Sequence, residues 1–287
     1  MRMEGWSRRS VLGSLGAGAA FGVFPQMSSD QDEKKARVNI KQSVCRWCYK
    51  DLSLEQLSEA VRRIGLLSIE LIGPDEFKIV KTYGLTCAMT RGAGTIDSGL
   101  NRTENHDRLE EELRKNIEFA AAEKIPNVIC FSGNRKGMAD DEGLQNCVTG
   151  AKRVVGYAEK MGVTVCMELL NSKVNHKDYM CDHTAWGVEL VKKVGSPRFK
   201  LLYDIYHMQI MEGDVIRTIR DNKDYIAHYH TGGVPGRNEI DGTQELNYPA
   251  IMKAIVETGY AGFVGQEFVP TRDPLTSLAQ AYRICDV

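Results

Sequence analysis

Four polar residues in the second half of the chain, each near the end of an apolar run, have side chains suited to metal and acid-base chemistry. They are Glu168 in VTVCMELLN, Asp204 in FKLLYDIYH, His230 in YIAHYHTGG and Glu267 in GFVGQEF. The gaps between them are 36, 26 and 37 residues, about what one strand and one helix occupy in a closed (β/α)₈ barrel. Four consecutive parallel strands would then bring three carboxylates and one imidazole to the same end of the barrel. This set predicts a divalent-metal site that also holds acid and base groups.

The donor types indicate which metal is expected. Oxygen-rich ligation with a single imidazole favours one Mg²⁺ or Mn²⁺ ion, and Zn²⁺ and Co²⁺ are the alternatives. A structural salt bridge is the other interpretation of Glu168. A helix N-cap is the other interpretation of Asp204, which we do not expect because the next predicted helix begins about ten residues later. His228 shares a strand face with His230 one layer deeper, and the sequence leaves open whether it is a core residue or part of the site.

Residues near the strand ends are candidates for contacting a substrate. Arg237 lies in GGVPGRNE, a glycine-rich loop after the seventh predicted strand. Its guanidinium is suited to binding a carboxylate or an enediolate oxygen, and the alternative is a solvated loop arginine. Asn171 and Trp47 are further candidates for substrate contact.

Composition limits the class of protein. The chain has 287 residues, of which 43% are apolar and 26% charged, with a net charge of −1. These values are typical of a soluble globular protein with a full core. Because no basic block is present, we expect no nucleic-acid partner.

The N-terminus has the pattern of a targeting segment. Arg8 and Arg9 in SRRSVLGSLGAGAAFGVF precede a short run rich in glycine and alanine, which resembles a twin-arginine export signal. The run is too short and too glycine-rich for a stable membrane span of about 20 residues. We therefore predict a signal at 1–27, a linker at 28–37 and the barrel at 38–287, with a periplasmic or exported location. A cytoplasmic location is expected if the signal does not function.

The eight cysteines do not suggest a set of disulfides. Cys87, Cys130 and Cys166 lie within apolar runs, where a thiol behaves as a small hydrophobic side chain. Cys45 and Cys48 form a CxxC, which a redox pair or a zinc site would also use. We expect neither, because residues three apart on a strand point to opposite faces.

Short apolar runs alternate with longer amphipathic ones, which predicts a parallel sheet with helical crossovers. Strands are predicted at Ile40–Cys45, Leu67–Ile72, Leu85–Met89, Asn127–Ser132, Val163–Leu169, Lys200–Ile205, Ile226–Thr231 and Phe263–Phe268. Helices are predicted at Ser53–Ile64, Asp75–Tyr83, His106–Lys124, Asp141–Met161, His183–Val194, Asp214–Arg220, Tyr248–Glu257 and Leu275–Ile284. Eight evenly spaced units favour an α/β fold with one closed (β/α)₈ TIM barrel as a single domain. An open doubly wound sheet is the alternative, but no glycine-rich phosphate fingerprint follows the first strand.

At these residues the chain resembles the hydroxypyruvate isomerase family of the xylose isomerase-like barrels. The matching segments cover almost all of the chain after residue 37: SVCRWCYKDLSLEQL, LLSIELIGP, PNVICFSGNRKG, MELLN, LLYDIYHMQIMEGD, IAHYHTGGVPGRNEIDGTQELNYPAI and GYAGFVGQE. The resemblance implies that the four polar residues bind the metal and that Glu168 and Glu267 form the acid-base pair. It further implies that His207 and Arg237 contact the substrate. The triplet His228-Tyr229-His230 instead resembles sugar epimerases of the same superfamily, which have a histidine where many hydroxypyruvate isomerases have HVQ.

The expected activity is therefore the metal-dependent isomerisation of a small α-hydroxycarbonyl compound. Conversion of hydroxypyruvate to tartronate semialdehyde through a cis-enediolate is the leading interpretation, with the metal chelating the substrate oxygens. A ketose 3-epimerase with the same site is the alternative, and a sugar-binding barrel that has lost catalysis is the alternative outside the enzymes. An endonuclease of the superfamily is disfavoured, because it would need more histidines and a basic surface. The partner is a small hydroxycarbonyl compound or keto sugar, and a homo-oligomer is compatible with the sequence.

Overall fold

Eight parallel strands alternate with helices in the computed structural model, which describes residues 40–287. The strands are β1 Lys41–Cys45, β2 Ser68–Glu70, β3 Met89–Ala93, β4 Asn127–Cys130, β5 Thr164–Glu168, β6 Phe199–Asp204, β7 Ile226–Thr231 and β8 Phe263–Gln266. The helices are α1 Leu54–Ile64, α2 Pro74–Thr82, α3 His106–Ala122, α4 Asp140–Met161, α5 Thr184–Val194, α6 Ile205–Met211, α7 Val215–Asn222, α8 Tyr248–Glu257 and α9 Pro274–Cys285.

The strands form one sheet that curves into a barrel. Their spatial order is β2-β1-β8-β7-β6-β5-β4-β3, and every pair along this series is parallel. The remaining gap between β2 and β3 is spanned by isolated bridges from Ser68 to Thr86 and from Ile72 to Thr90. The predicted single-domain (β/α)₈ barrel is therefore confirmed, and the open doubly wound sheet is excluded.

Local signals in the sequence explain where the helices begin and end. Ser53 caps α1 by accepting a hydrogen bond from the backbone of Gln56, whose side chain accepts one from Ser53 in return. This reciprocal pair satisfies two backbone groups that would otherwise lack partners at the start of the helix. Gly65 ends α1 with a φ of +112°, a conformation in which any residue with a Cβ would be strained.

The third strand differs from its prediction. The sequence predicted Leu85–Met89, whereas the paired strand begins at Met89 and ends at Ala93. The apolar run leads into the barrel, and the register with β4 shifts between Thr90 and Ala93. The shift includes Gly92, where a Cβ would lie 1.5 Å from the carbonyl oxygen of Ile129. The residues after Met89 are Thr90, Arg91, Gly92 and Ala93, and a close backbone approach of this kind leaves no hydrophobic pattern that would extend the predicted strand through them.

Helix α6 was missed altogether. It follows β6 directly, and most of its residues, like those of β6, are buried. A segment that is apolar on all sides has no 3.6-residue period to distinguish it from a strand. Its position matters because the residue that caps its first turn is Asp204, one of the four candidate site residues.

The barrel interior carries an apolar layer on the amino-terminal side of the candidate site. This layer consists of Met89, Ile129, Cys166 and Leu202. Cys166 and Leu202 precede Glu168 and Asp204 by two residues, so they lie one layer deeper on the same strand faces. A second and larger apolar core lies between the barrel and the surrounding helices. Both cores hold the carboxyl ends of the strands in fixed positions.

All eight cysteines lie in the described range, and all are free. The reason given for discounting the CxxC was wrong in one respect, because only Cys45 is on a strand. Cys48 lies in the 3₁₀ turn Arg46–Tyr49 that follows β1. Cys45 is fully buried, with its Sγ 3.6 Å from Glu70 Oε1 and 3.7 Å from His230 Nε2.

The predicted export signal at 1–27 and linker at 28–37 lie outside the described residues. Within 40–287, none of the helices combines the length and the hydropathy that a membrane crossing requires.

Candidate active site

Four strands bring the candidate residues to one mouth of the barrel. Glu168 and Asp204 are the last residues of β5 and β6, His230 is the penultimate residue of β7, and Glu267 directly follows β8. One donor atom from each lies within 4.8 Å of the others, and all four residues are buried. This is the carboxyl end of the barrel, where barrel enzymes place their active sites.

His230 is the central member of this cluster. Its Nδ1 lies 2.8 Å from Glu267 Oε2 and 3.6 Å from Glu168 Oε1. Although Nδ1 is buried, no donor or acceptor among residues 40–287 makes a well-aligned hydrogen bond to it. The unpaired Nδ1 and the carboxylate oxygens around it together form a suitable ligand set for a divalent cation, since such ions bind imidazole and carboxylate donors together. The residues present therefore fit a metal ion.

Arg237 lies against the same carboxylates. Its Nη2 is 2.5 Å from Glu267 Oε2 and 3.1 Å from Asp204 Oδ2. The guanidinium carbon lies 5.2 Å from the centre of the Trp47 ring and 5.4 Å from that of Tyr206. Trp47 in turn donates from Nε1 to Glu267 Oε1 at 2.7 Å. The predicted substrate contacts Arg237 and Trp47 are thus both at the mouth, where they also hold Glu267 in position.

The two glutamates have different electrostatic surroundings. Burial raises the pKa of Glu168; the proximity of His230 acts to lower this pKa, and the negative charge of Glu267 acts to raise it. Burial also acts to raise the pKa of Glu267, but the charges of Arg237 and His230 outweigh it and hold that pKa well below its usual range. Carboxyl groups whose pKa values are separated in this way can serve as a proton donor and a proton acceptor at one pH.

The expectation that Asp204 does not cap a helix was wrong. Its Oδ1 accepts the backbone N–H of His207 at 3.0 Å and so caps α6. Its Oδ2 accepts a hydrogen bond from Arg237 at 3.1 Å, on the side of the other three candidate residues. One oxygen of Asp204 therefore caps a helix while the other faces the site. The sequence analysis treated the cap and the site residue as alternatives, and Asp204 is both.

His207 and Asn171 lie behind Asp204. The backbone N–H of Asn171 donates to His207 Nδ1 at 3.1 Å, and His207 Nε2 lies 3.7 Å from Asp204 Oδ2. Both side chains are fully buried, and neither belongs to the residues that line the pocket in the described part of the chain. The structure therefore places His207 next to Asp204 and Asn171 next to His207, and neither of these two predicted substrate contacts lines the cavity.

A cavity of about 530 Å³ opens above the cluster. Glu168, Glu267, Arg237 and Trp47 form its polar side. The other lining residues are mostly apolar, and most of them come from strand ends and loops in the first half of the barrel. They are Leu71, Arg91, Gly92, Gly94, Ile96, Ile129, Phe131, Leu170 and His176.

Glu70 is a buried acid near the site that was not among the predicted site residues. Glu70 is the last residue of β2 and is fully buried, with Oε1 2.7 Å from His230 Nε2 and 2.9 Å from His228 Nε2. Burial acts to raise the pKa of Glu70, but the two histidines outweigh it and hold that pKa far below its usual range. The signal was present, because LLSIELI has a carboxylate at the end of an apolar run, as MELLN does.

Comparison with known proteins shows the family and the fold of the chain. The sequence profile of the xylose isomerase-like TIM barrel family matches residues 42–284. Hydroxypyruvate isomerase of Escherichia coli K12 is 33% identical over 56% of this chain and 64% of its own. The 2-oxo-tetronate isomerase of Pectobacterium atrosepticum is 28% identical over 77% of this chain and 88% of its own. A crystal structure described as a family 2 AP endonuclease from Brucella melitensis superposes with a TM-score of 0.74 at 24% identity. The superposition covers 85% of this chain and 99% of the other. The similarity to hydroxypyruvate isomerases that the motifs indicated is confirmed.

Proposed function

The chain belongs to the xylose isomerase-like TIM barrel family, and we propose that it is a metal-dependent isomerase of a small α-hydroxycarbonyl compound. The preferred substrate is hydroxypyruvate, and the product is tartronate semialdehyde. This reaction moves a proton and a carbonyl group between adjacent carbons without any external oxidant.

The observation that carries the proposal is the pair of glutamates at the pocket. Glu168 and Glu267 both line the cavity, and their carboxylate oxygens lie within 4.8 Å of each other. One carboxylate can remove a proton from a carbon of the bound substrate while the other returns a proton to the neighbouring carbon. A barrel that only bound sugars would not need two buried carboxylates at this distance, since burying charge is costly.

Glu168, Asp204, His230 and Glu267 would hold the divalent ion, for which Mg²⁺ and Mn²⁺ suit the donors best. When bound, the ion supplies positive charge to the substrate oxygens and so makes the adjacent carbon more acidic. Trp47 and Arg237 hold the carboxylate of Glu267 toward the cavity by hydrogen bonds from two sides. The apolar residues that line the cavity would contact the carbon atoms of the substrate.

The names of the relatives support a substrate that carries a carboxylate. Hydroxypyruvate and 2-oxo-tetronate, after which the two relatives are named, are both 2-oxo acids. Arg237 lines the pocket and has a positive charge that burial does not remove, because nearby acids raise its pKa further. A guanidinium in this position is suited to the carboxylate of a 2-oxo acid.

Proton transfer can be followed directly in D₂O. With Mn²⁺ or Mg²⁺ present, the protein should convert hydroxypyruvate to tartronate semialdehyde, with solvent deuterium entering at the carbon that receives the proton. Product formation is measured alongside deuterium by NMR, because a shielded proton would give product without exchange. A protein that binds metal but produces neither product nor exchange with hydroxypyruvate or C4–C6 ketoses would be a binding barrel.

Replacement of Arg237 tests the class of substrate. Arg237→Ala should raise KM for hydroxypyruvate by about 10- to 100-fold, the equivalent of one lost hydrogen bond between charged groups. KM for a neutral ketose should rise several-fold less, although kcat falls for both because Glu267 loses a partner. Arg237→Lys is the matched variant, which keeps the charge but not the planar fork and should recover part of the loss. A larger KM penalty on the ketose would contradict the carboxylate role.

The cavity volume favours ketose 3-epimerisation as the second candidate function. About 530 Å³ is more space than a three-carbon acid fills, and drug-sized ligands occupy pockets of similar volume. An epimerase would use the same glutamates but return the proton to the opposite face of the same carbon. Inversion at C3 of a C6 ketose at a higher kcat/KM than hydroxypyruvate turnover would favour this alternative.

A further inference from the structure

Glu70 is a buried acid that the proposed proton transfer does not use. It lies at the end of β2, fully buried, and does not line the substrate cavity. A buried carboxylate is retained only where hydrogen bonds or opposite charges compensate for the loss of water. The contacts of Glu70 should therefore show what it does.

One oxygen of Glu70 contacts both histidines of β7. Oε1 is 2.9 Å from His228 Nε2 and 2.7 Å from His230 Nε2. An ionised carboxylate can only accept hydrogen bonds, so both rings must carry a hydrogen on Nε2. For His230 this leaves the other nitrogen, Nδ1, as the one that faces Glu168 and Glu267.

The strand next to β7 makes room for this contact. A Cβ on Gly265 of β8 would lie 2.5 Å from Glu70 Oε1 and 2.8 Å from His230 Cδ2. Gly265 is not among the glycines with positive φ, so its backbone conformation alone does not require glycine. The close approach of Glu70 to His230 is what requires a residue without a side chain at this position.

We propose that Glu70 is a positioning residue that fixes the Nε2–H tautomer and the ring orientation of His230, so that Nδ1 is directed at the metal ion. His228 holds the same oxygen of Glu70 from a deeper layer and keeps the carboxylate in place. This inference rests on the proposed function, because it assigns Glu70 to the aiming of a metal ligand. Carboxylates that accept the second N–H of a ligating histidine generally raise metal affinity in this way.

Titration of Mn²⁺ into metal-free protein measures the effect. Glu70→Gln should weaken Mn²⁺ binding by about 10- to 100-fold, because the amide can present either an oxygen or an N–H₂ group to His230. Gly265→Ala should weaken binding in the same direction while leaving both Glu70 and His230 chemically intact. Melting temperatures of the metal-free variants show whether each is folded. If Gly265→Ala does not fold, the Mn²⁺ affinity of Glu70→Gln is the test of the proposal.

Spectra of ¹⁵N-histidine-labelled, metal-free protein give a second readout. The signals of His230 are assigned by their loss in His230→Asn. In wild-type protein the proton on Nε2 should be protected from exchange by its bond to Glu70, and this protection should be lost in Glu70→Gln. A purely structural role for Glu70 would change stability without changing the His230 signals.

In a competing interpretation, Cys45, Glu70 and His230 bind a second ion, since one donor atom from each lies within 4.8 Å of the others. The variant Cys45→Ala distinguishes this interpretation from the positioning role. We expect Cys45→Ala to bind one Mn²⁺ ion with wild-type affinity. A fall from two bound ions to one in Cys45→Ala would overturn the positioning role. So would unchanged affinity and unchanged His230 signals in Glu70→Gln. If the wild-type protein binds no ion, both the proposed metal site and this inference are wrong. If the wild-type protein binds one ion and Glu70→Gln binds it equally well, only the positioning role is wrong and the metal site remains.

Discussion

Glu267→Gln should lower kcat by about 10²- to 10⁴-fold while the protein continues to bind its metal ion. The amide keeps an oxygen that can serve as a ligand but has no basic lone pair with which to accept a proton from carbon. Its N–H₂ group would also face either Trp47 or Arg237, both of which donate to the carboxylate. Stopped assays of product formation at saturating substrate measure the loss, and titration with Mn²⁺ measures the binding that remains.

A matched control comes from a glutamate that does not line the cavity. Glu212 follows α6 and accepts hydrogen bonds from the backbone and hydroxyl of Thr184 at 2.6 and 2.7 Å. Glu212→Gln removes the same charge and should leave kcat near the wild-type value. If Glu267→Gln retains more than about a tenth of wild-type kcat, Glu267 is not the group that removes or returns the proton.

The positions of the candidate site residues were predictable because they follow a simple geometric rule. In a parallel barrel all strands end at the same mouth, so a polar residue that closes an apolar run is brought to that mouth. Glu168 and Asp204 close β5 and β6 in this way. Glu70 follows the same rule, because it closes β2.

Features that depend on close contact between distant segments were not predictable. The limits of β3 depend on the approach of Gly92 to the backbone of Ile129, and hydrophobicity does not record such an approach. Helix α6 is buried on most sides and lacks an amphipathic period. Its absence from the prediction led to the wrong conclusion that Asp204 caps no helix.

The division of the cavity into a polar and an apolar side also could not be derived from the sequence. Phe131 lines the cavity, yet it ends the apolar run NVICF just as a core residue would. The family resemblance implied that His207 contacts the substrate, but His207 is fully buried in α6 and does not line the cavity. Which side of a strand end faces the cavity depends on the turn after it, and that turn is set by tertiary packing.

Removal of the metal should abolish turnover, and its return should restore it. After dialysis against a chelator we expect kcat to fall by about 10³-fold or more, since a bound divalent ion contributes several kcal/mol to the stabilisation of charge on substrate oxygens. Addition of Mn²⁺ or Mg²⁺ should recover activity with a stoichiometry of one ion per chain. Asp204→Asn should weaken that recovery, because it removes a charge from a buried set of three acids and one imidazole.

The same ion should stabilise the folded barrel. At a metal concentration of about 100 times Kd, binding adds about 2.7 kcal/mol to the free energy of unfolding, which corresponds to a rise in Tm of about 5–10 °C for a domain of this size. His230→Asn should lose most of this rise, because the amide cannot replace the imidazole nitrogen that faces Glu168 and Glu267. Scanning calorimetry with and without Mn²⁺ measures both shifts. An unchanged Tm together with full activity in the presence of chelator would show that Arg237 alone neutralises the three acids and that the reaction needs no metal.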